Sequence, residues 1–321
     1  MARITNSMMT NHLLYDLNQN ALYMDKWYRQ MATNRKINKL SDDPVGLVLS
    51  LQASGRVART QHYLSNLDTA EMRLRTSETN ITEINSIITR TYELMVQATT
   101  DVNAPLDRAA LAQEIRGLQA NMLQTINTKE GDKHIFAGYN TLKKPFSVDA
   151  AGKIYYNGIE MVNDADFITA PPGGIAEVDQ IHTVDIGFSG MFVEVSFTGY
   201  ELMRVGDKNT YTLMSDIINM LEDPTTTAVD LSDAKFIDKL QEQQEHFLGL
   251  IAELGGSYNR VKALQDNYRL DEEIHTERYS KIVDADYAES VTGFKTAEAM
   301  YQATLQAGAR MIQPTLLDYL R

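Results

Sequence analysis

The 321-residue sequence contains no cysteine. This absence excludes disulfide frameworks, thiolate nucleophiles, cysteine-type zinc sites and iron–sulfur clusters. It also lacks any run of about 18 apolar residues, the length needed to span a bilayer. The first residues hold a single arginine and no continuous apolar core, which predicts no cleavable secretory signal. We therefore expect neither an integral membrane protein nor a membrane partner.

Positive charge is in short supply, with 30 lysines and arginines against 43 aspartates and glutamates and a formal net charge of −13. Such a polyanion repels phosphate backbones, so no nucleic-acid partner is expected. Hydrophobic residues make up 43% of the chain, which is typical of a folded protein rather than a disordered one.

Motifs of common enzymes are missing as well. The sequence has no HExxH, GxGxxG, GxxxxGK[ST] or GxSxG pattern, and its six histidines lie far apart. Its paired carboxylates lack the calcium-loop framework, and they are interpreted as helix caps and solvated faces. We therefore predict no catalytic, cofactor-binding or metal-binding residue and no cofactor. An enzyme hidden in the middle of the chain, around His182, stays open as an alternative.

Glycine and proline are scarce at both ends of the chain. Residues 131–206 hold ten of the 18 glycines and three of the seven prolines. Because these residues interrupt regular elements, the distribution predicts a mainly α fold with a β insert. Within the insert, Asn157-Gly158 between two short apolar runs predicts a hairpin, and the alternation around Val193 predicts a strand. We expect a small β sandwich or barrel of about 60 residues.

The terminal segments carry narrow apolar stripes with steps of three and four residues. Glu298 and Gly308 interrupt the second stripe. Such stripes cannot be buried within one helical hairpin, so neighbouring subunits are the expected partners. The predicted assembly interface comprises Leu14, Leu17, Met24, Tyr28, Met31, Val291, Phe294, Tyr301, Leu305, Ile312, Leu316, Leu317 and Leu320.

A second, longer helical pattern begins after the first stripe. Asp42 and Asp43 can cap a helix that starts at Pro44, so these three residues are predicted to form a structural turn. The following helix would reach about Thr100 and measure roughly 85 Å. Its apolar seam repeats every seven residues, at Leu67, Leu74, Ile81, Ile88 and Met95. A second repeat with the same spacing follows later in the chain, at Leu240, Phe247, Leu254, Val261 and Tyr268.

Several ordered motifs resemble the flagellin superfamily of bacterial axial proteins. Residues 35–46, RKINKLSDDPVG, are similar to the family's turn between its first two helices, although Asn34 stands where glycine is usual. Four further family blocks are resembled by residues 90–98, by Arg108 with Glu114-Ile115, and by residues 131–138 and 280–288. Asparagine tolerates the left-handed conformation, so we expect the turn to be retained. The resemblance implies a flagellin-like fold, with long coiled-coil helices at both termini forming a rod and a small β-rich outer domain.

The resemblance also implies a division of the chain. Residues 1–40 and 286–321 would be the coiled-coil helices of an inner domain. Residues 41–138 and 207–285 would form the two parts of a helical core, and residues 139–206 the outer domain. The opening RITNSMM and the end LLDYLR favour a member that forms an adaptor layer between the flagellar hook and the filament. Flagellin itself, the filament subunit, is the alternative.

For such an adaptor the resemblance implies export by the flagellar type III apparatus, with an export chaperone bound before secretion. Its further partners would be copies of itself in a ring, the first hook-associated protein and flagellin, and its terminal helices would become ordered on assembly. Two alternatives stay open: an immune-receptor surface around Arg90, Leu94 and Glu114, and a free-standing coiled-coil stalk.

Overall fold

The computed structural model describes residues 6–99, 105–138, 140–150, 152–161, 183–185, 192–205, 208–225, 230–231 and 234–311. The helices are α1 (Asn6–Thr33), α2 (Pro44–Thr99), α3 (Pro105–Thr125), α4 (Gly199–Met203), α5 (Thr210–Glu222), α6 (Phe236–Val283) and α7 (Tyr287–Met311). Within the described ranges, no helix combines the length and apolar character needed to cross a membrane.

Short strands lie between α3 and α5. They are β1 (Lys129–Glu130), β2 (Lys133–His134), β3 (Phe146–Val148), β4 (Ile154–Tyr156), β5 (Ile159–Glu160), β6 (Thr183–Asp185), β7 (Phe192–Glu194), β8 (Arg204–Val205) and β9 (Lys208–Asn209). The chain is thus mostly helical with small antiparallel sheets in its middle, which confirms the predicted fold class.

The chain divides into two compact units. Unit 1 comprises Met1–Gln61 and Arg269–Arg321, and unit 2 comprises His62–Tyr268. The boundaries fall inside α2 and inside α6, rather than in loops. The five-part division expected from the family resemblance stays a prediction.

The core of unit 2 is built on the predicted seam of α2. The five predicted heptad positions and the positions three residues after each of them are all buried: Leu67, Ala70, Leu74, Ser77, Ile81, Ile84, Ile88, Thr91, Met95 and Ala98. From α6, Leu240, Phe247, Leu254 and Val261 join the same hydrophobic cluster, and Tyr268 packs against it. Because heptad positions lie on one face of a helix, their repetition is sufficient to predict this core.

The insert contributes to that cluster through Phe146, Tyr156 and Val195. Strands β3, β4 and β5 form one sheet, and Asn157 and Gly158 have φ values of 50° and 88° in the β4–β5 turn, as the predicted hairpin requires. The other described strands pair in twos. In the described part of the insert the strands therefore form small separate sheets, and the sandwich or barrel that we expected is not present there.

Candidate assembly surface

In unit 1, α1 and α7 lie side by side and antiparallel. Trp27 lies against Gly293, the Asn20 amide donates a 2.8 Å hydrogen bond to the Thr304 hydroxyl, and Leu13 lies against Gly308. A methyl group at position 308 would lie 2.5 Å from Leu13 Cδ2. The two glycines therefore let larger side chains of α1 approach α7 closely.

This packing corrects one expectation from the sequence. Gly308 was expected to interrupt the apolar stripe of α7, whereas it is buried and receives Leu13. Glu298 forms a 3.0 Å ion pair with Lys295 on the same helix. A glycine lowers helix propensity, but here its missing side chain makes room for Leu13 of α1. The pattern of one helix alone cannot show such a contact with another helix.

The predicted interface residues differ in exposure. Leu14, Tyr28 and Leu305 are exposed, while Leu17, Met24, Met31, Val291, Phe294 and Tyr301 are half-buried. The rings of Tyr28 and Phe294 are 6.2 Å apart between centroids. Ile312, Leu316, Leu317 and Leu320 lie outside the described residues. The structure thus brings the described members onto one helix pair, and their role in assembly stays a prediction.

A further apolar stripe on α1 was missed in the sequence. Met8, Tyr15 and Leu22 recur every seven residues and are 50%, 63% and 62% exposed. Their spacing is visible in the sequence, but α1 carries apolar residues on several faces, so periodicity alone does not show which face meets α7. We call these three residues the outer stripe of α1.

The turn between α1 and α2 is held by two aspartates. One Asp42 carboxylate oxygen accepts hydrogen bonds from the backbone N–H groups of Asn38 and Lys39, at 3.0 and 2.8 Å. Asp43 accepts a 2.8 Å bond from the Gly46 N–H, the pattern of a helix N-cap, and α2 begins at Pro44. Asn34 has a φ of 54°, the left-handed conformation expected for it in this turn.

The same turn is joined to the α6–α7 connection. The Lys36 N–H donates to the Val283 carbonyl at 2.6 Å, and the Ala285 N–H donates to the Asn34 carbonyl at 3.1 Å. Asp286 then accepts bonds from the N–H groups of Ala288 and Glu289 at the start of α7. The carboxylates of this segment therefore have local roles as caps and turn ligands.

The two units differ sharply in how they place apolar side chains. Of the forty-three buried hydrophobic residues in the described ranges, only Ile37, Ala53, Val283 and Ala297 belong to unit 1. Of the twenty-one large hydrophobic residues that are exposed there, sixteen belong to unit 1. An exposed apolar surface of this extent is typical of a protein–protein interface.

The residues considered for receptor recognition occupy a different environment in unit 2. Arg90 donates to Glu93 at 2.9 Å and to Glu114 at 2.9 Å, and these bonds raise the pKa of its guanidinium. Leu94 is only 1% exposed. Arg90 and Glu114 thus connect α2 and α3, and Leu94 is a core residue rather than a surface residue.

Comparison with known proteins agrees with this geometry. The N-terminal helical region of bacterial flagellin matches residues 4–141, and its C-terminal helical region matches residues 237–320. Together these regions cover about two thirds of the chain.

Individual relatives extend the similarity over the full length. The chain is 25% identical to flagellar hook-associated protein 3 of Escherichia coli over 95% of each chain. It is 23% identical to the flagellin of Bacillus subtilis over 99% of this chain and 100% of that protein.

A solved structure shows the shared fold. The flagellar junction protein FlgL from Legionella pneumophila superimposes with a TM-score of 0.59 at 15% identity, covering 73% of this chain and 99% of that one. These relatives are structural proteins of the flagellum rather than enzymes. With both helical regions of flagellin matched in order, the chain belongs to the flagellin family of bacterial flagellar proteins.

Proposed function

We propose that this protein forms a ring-shaped adaptor layer at the hook–filament junction, between the first hook-associated protein and flagellin. The observation that carries the proposal is the exposure of large apolar side chains on unit 1, combined with its small buried core. Burial of such side chains contributes about 1.5–3 kcal/mol each, so neighbouring copies would stabilise unit 1 by covering them.

Full-length similarity to a hook-associated protein supports the junction position. The motifs at residues 3–9 and 316–321 favour the same interpretation. Flagellin remains the second candidate, because one flagellin is also similar over the whole chain. The two roles differ in extent of assembly, since a filament subunit polymerises without limit and an adaptor stops at one layer.

The proposal includes the route and the further partners. Export through the flagellar type III apparatus, assisted by a chaperone, would deliver the chain to the distal end of the hook. Helices α1 and α7 would line the inner tube, and the insert at residues 139–206 would face outward. The five-part domain division belongs to this proposal as well.

Isolated hooks that carry the first hook-associated protein provide the test. We expect the purified chain to add one saturable layer to their ends and flagellin to polymerise only from hooks that carry this layer. Flagellin growth on uncoated hooks at the same rate would contradict the adaptor role.

A further inference from the structure

A cleft of about 690 Å³ lies in unit 1 between the early turns of α2 and the last turns of α6. Its lining includes Arg56 and Arg59 from α2, and His275 and Arg278 from α6. Arg56 and Arg59 are three positions apart and therefore share one face of their helix. Apolar side chains such as Leu51 complete the wall. We call this feature the α2–α6 cleft.

The lining is basic, in contrast to the chain as a whole. Three guanidinium groups and an imidazole line the cleft, and the described residues along its wall include no carboxylate. A guanidinium is a planar donor that matches a carboxylate with two parallel hydrogen bonds. A basic wall flanked by apolar residues therefore fits an acidic, partly apolar protein segment.

His275 adds an unsatisfied polar atom to this wall. The residue is only 9% exposed, and its Nε2 lies 3.3 Å from Asp271 Oδ1. Its Nδ1 is buried and has no hydrogen-bond partner within the described part of the chain. Because this nitrogen is almost completely covered, it is not itself offered to an incoming group, and the three guanidinium groups are the donors that the cleft presents.

Direct bonds between the helices fix one end of the cleft. The Thr60 hydroxyl donates to Asp271 Oδ2 at 3.3 Å, and the Gln61 amide donates to Glu272 Oε1 at 2.7 Å. These bonds hold α2 and α6 together next to the cleft. The site is thus formed before any partner binds.

The charges of the two units suggest the partner. Unit 2 contains sixteen lysines and arginines against thirty aspartates and glutamates, whereas unit 1 contains fourteen against thirteen. A second copy of this chain therefore offers a strongly acidic surface. An interface that joins two different patches of identical chains generates a ring when its rotation closes.

We propose that the α2–α6 cleft of one copy binds a carboxylate-bearing segment of unit 2 of a second copy. This inference rests on the proposed function, since it assumes that copies assemble into one layer. This contact between the cleft and a second copy would add ion pairs to the apolar contacts made by α1 and α7. Assembly would therefore be sensitive to ionic strength.

Filling the cleft tests the proposal without removing a charge. A side chain at Gly55 would start in open space, since no atom lies within 4 Å of the position that its Cβ would take, and the same holds for Gly255 in unit 2. Both Gly55→Leu and Gly255→Leu replace a helical glycine by a good helix former. We expect Gly55→Leu to raise the concentration for half-maximal addition to hook ends at least tenfold and Gly255→Leu to leave it unchanged.

The outcomes separate the cleft from the adaptor role. If wild-type protein adds to hooks and Gly55→Leu adds equally well, the cleft proposal is wrong and the adaptor role stands. If wild-type protein adds no layer, both are wrong. Arg56→Glu with Arg278→Glu should match Gly55→Leu, with Arg260→Glu on the exposed surface of unit 2 as the charge control.

A crosslink identifies the occupant. Because the chain has no cysteine, Gln52→Cys in the cleft wall can be labelled uniquely with a photoactivated crosslinker. On coated hooks we expect an adduct of twice the chain mass, with the second attachment point in residues 62–268. An adduct with the first hook-associated protein or flagellin in its place would overturn the assignment to a second copy.

Discussion

The indole of Trp27 lies directly on Gly293, where a methyl group would be 2.6 Å from both Cδ2 and Cε2 of the ring. This contact joins α1 to α7 across more than 260 residues of chain. Trp27 is also the only tryptophan in the sequence. Its fluorescence therefore reports on the packing of unit 1 alone.

Gly293→Ala should loosen this contact. The added methyl overlaps the indole, and overpacking of this kind costs about 1–3 kcal/mol. We expect a red-shifted tryptophan emission and a lower unfolding midpoint measured by fluorescence. Gly55→Ala, at a helical glycine of unit 1 with nothing within 4 Å, is the matched control and should keep or raise the midpoint. An unchanged midpoint for Gly293→Ala would show that the ring can move aside freely.

The outer stripe of α1 should matter for assembly and not for folding. Leu22 is 62% exposed, so Leu22→Ser should change the free energy of unfolding by less than about 0.5 kcal/mol. If neighbouring copies cover the stripe, the same change should weaken layer formation about tenfold or more, since burial of a leucine contributes about 1.5–3 kcal/mol.

Electron microscopy of hook ends titrated with the Leu22→Ser variant measures this effect. Met72→Ser, at a residue of unit 2 that is 56% exposed, provides the control. Equal coating by both variants would exclude the outer stripe from the interface.

Unit 1 should open more readily than unit 2 in the monomer. Hydrogen exchange follows local stability, and unit 1 holds few of the buried hydrophobic residues. We expect amides of α1 and α7 to exchange at least tenfold faster than those of α2 between Leu67 and Ala98. In coated hooks the difference should shrink. Equal protection of α1 and the α2 seam in a verified monomer would contradict coupled folding and assembly.

His246 makes unit 2 sensitive to pH. Its Nε2 lies 2.9 Å from the Glu201 carbonyl oxygen, which accepts a hydrogen bond from the ring, and burial lowers the pKa of the imidazole below 6.5 because the cation is poorly solvated. The unfolded chain then binds the proton more tightly. The contribution of His246 to the free energy of unfolding is therefore fully present above pH 6.5, and it is lost as pH falls through the lower folded-state pKa.

Chemical unfolding of wild type and His246→Gln at several pH values tests this dependence. We expect the variant to lose less stability between pH 7 and pH 5. Burial raises the pKa of the Glu201 carboxyl above 4.5, and that group loses its stabilising effect as pH rises. Glu201 is present in both wild type and His246→Gln, so the difference between them in stability lost on acidification is due to His246. Parallel curves of stability against pH for wild type and His246→Gln would contradict this role of His246. His62→Gln, at an exposed position, is the control.

Much of unit 2 could be predicted from the sequence because its signals are local or periodic. The seven-residue repeat from Leu67 to Met95 identifies a buried face, and Asn157-Gly158 identifies a tight turn. In unit 1 a local signal of the same kind is present, since Asp43 and Pro44 predict the start of α2, which the structure confirms. Each signal depends on neighbouring residues and needs no knowledge of the rest of the fold.

The surface of unit 1 was less predictable. Trp27 and Leu13 pack on glycines of a helix more than 260 residues away, and glycine by itself indicates a weak helix rather than a contact. The α2–α6 cleft depends on residues from two helices that the sequence separates by more than 200 positions. Long-range contacts of this kind become visible only when the helices are placed together.

Assembly into one adaptor layer can be decided by electron microscopy of the purified chain with a salting-out anion, with and without hooks that carry the first hook-associated protein. We predict no filaments from the chain alone and a single added layer of constant length on hook ends, however long the incubation. Filaments that grow from the chain alone would contradict the adaptor role and identify the protein as a filament subunit.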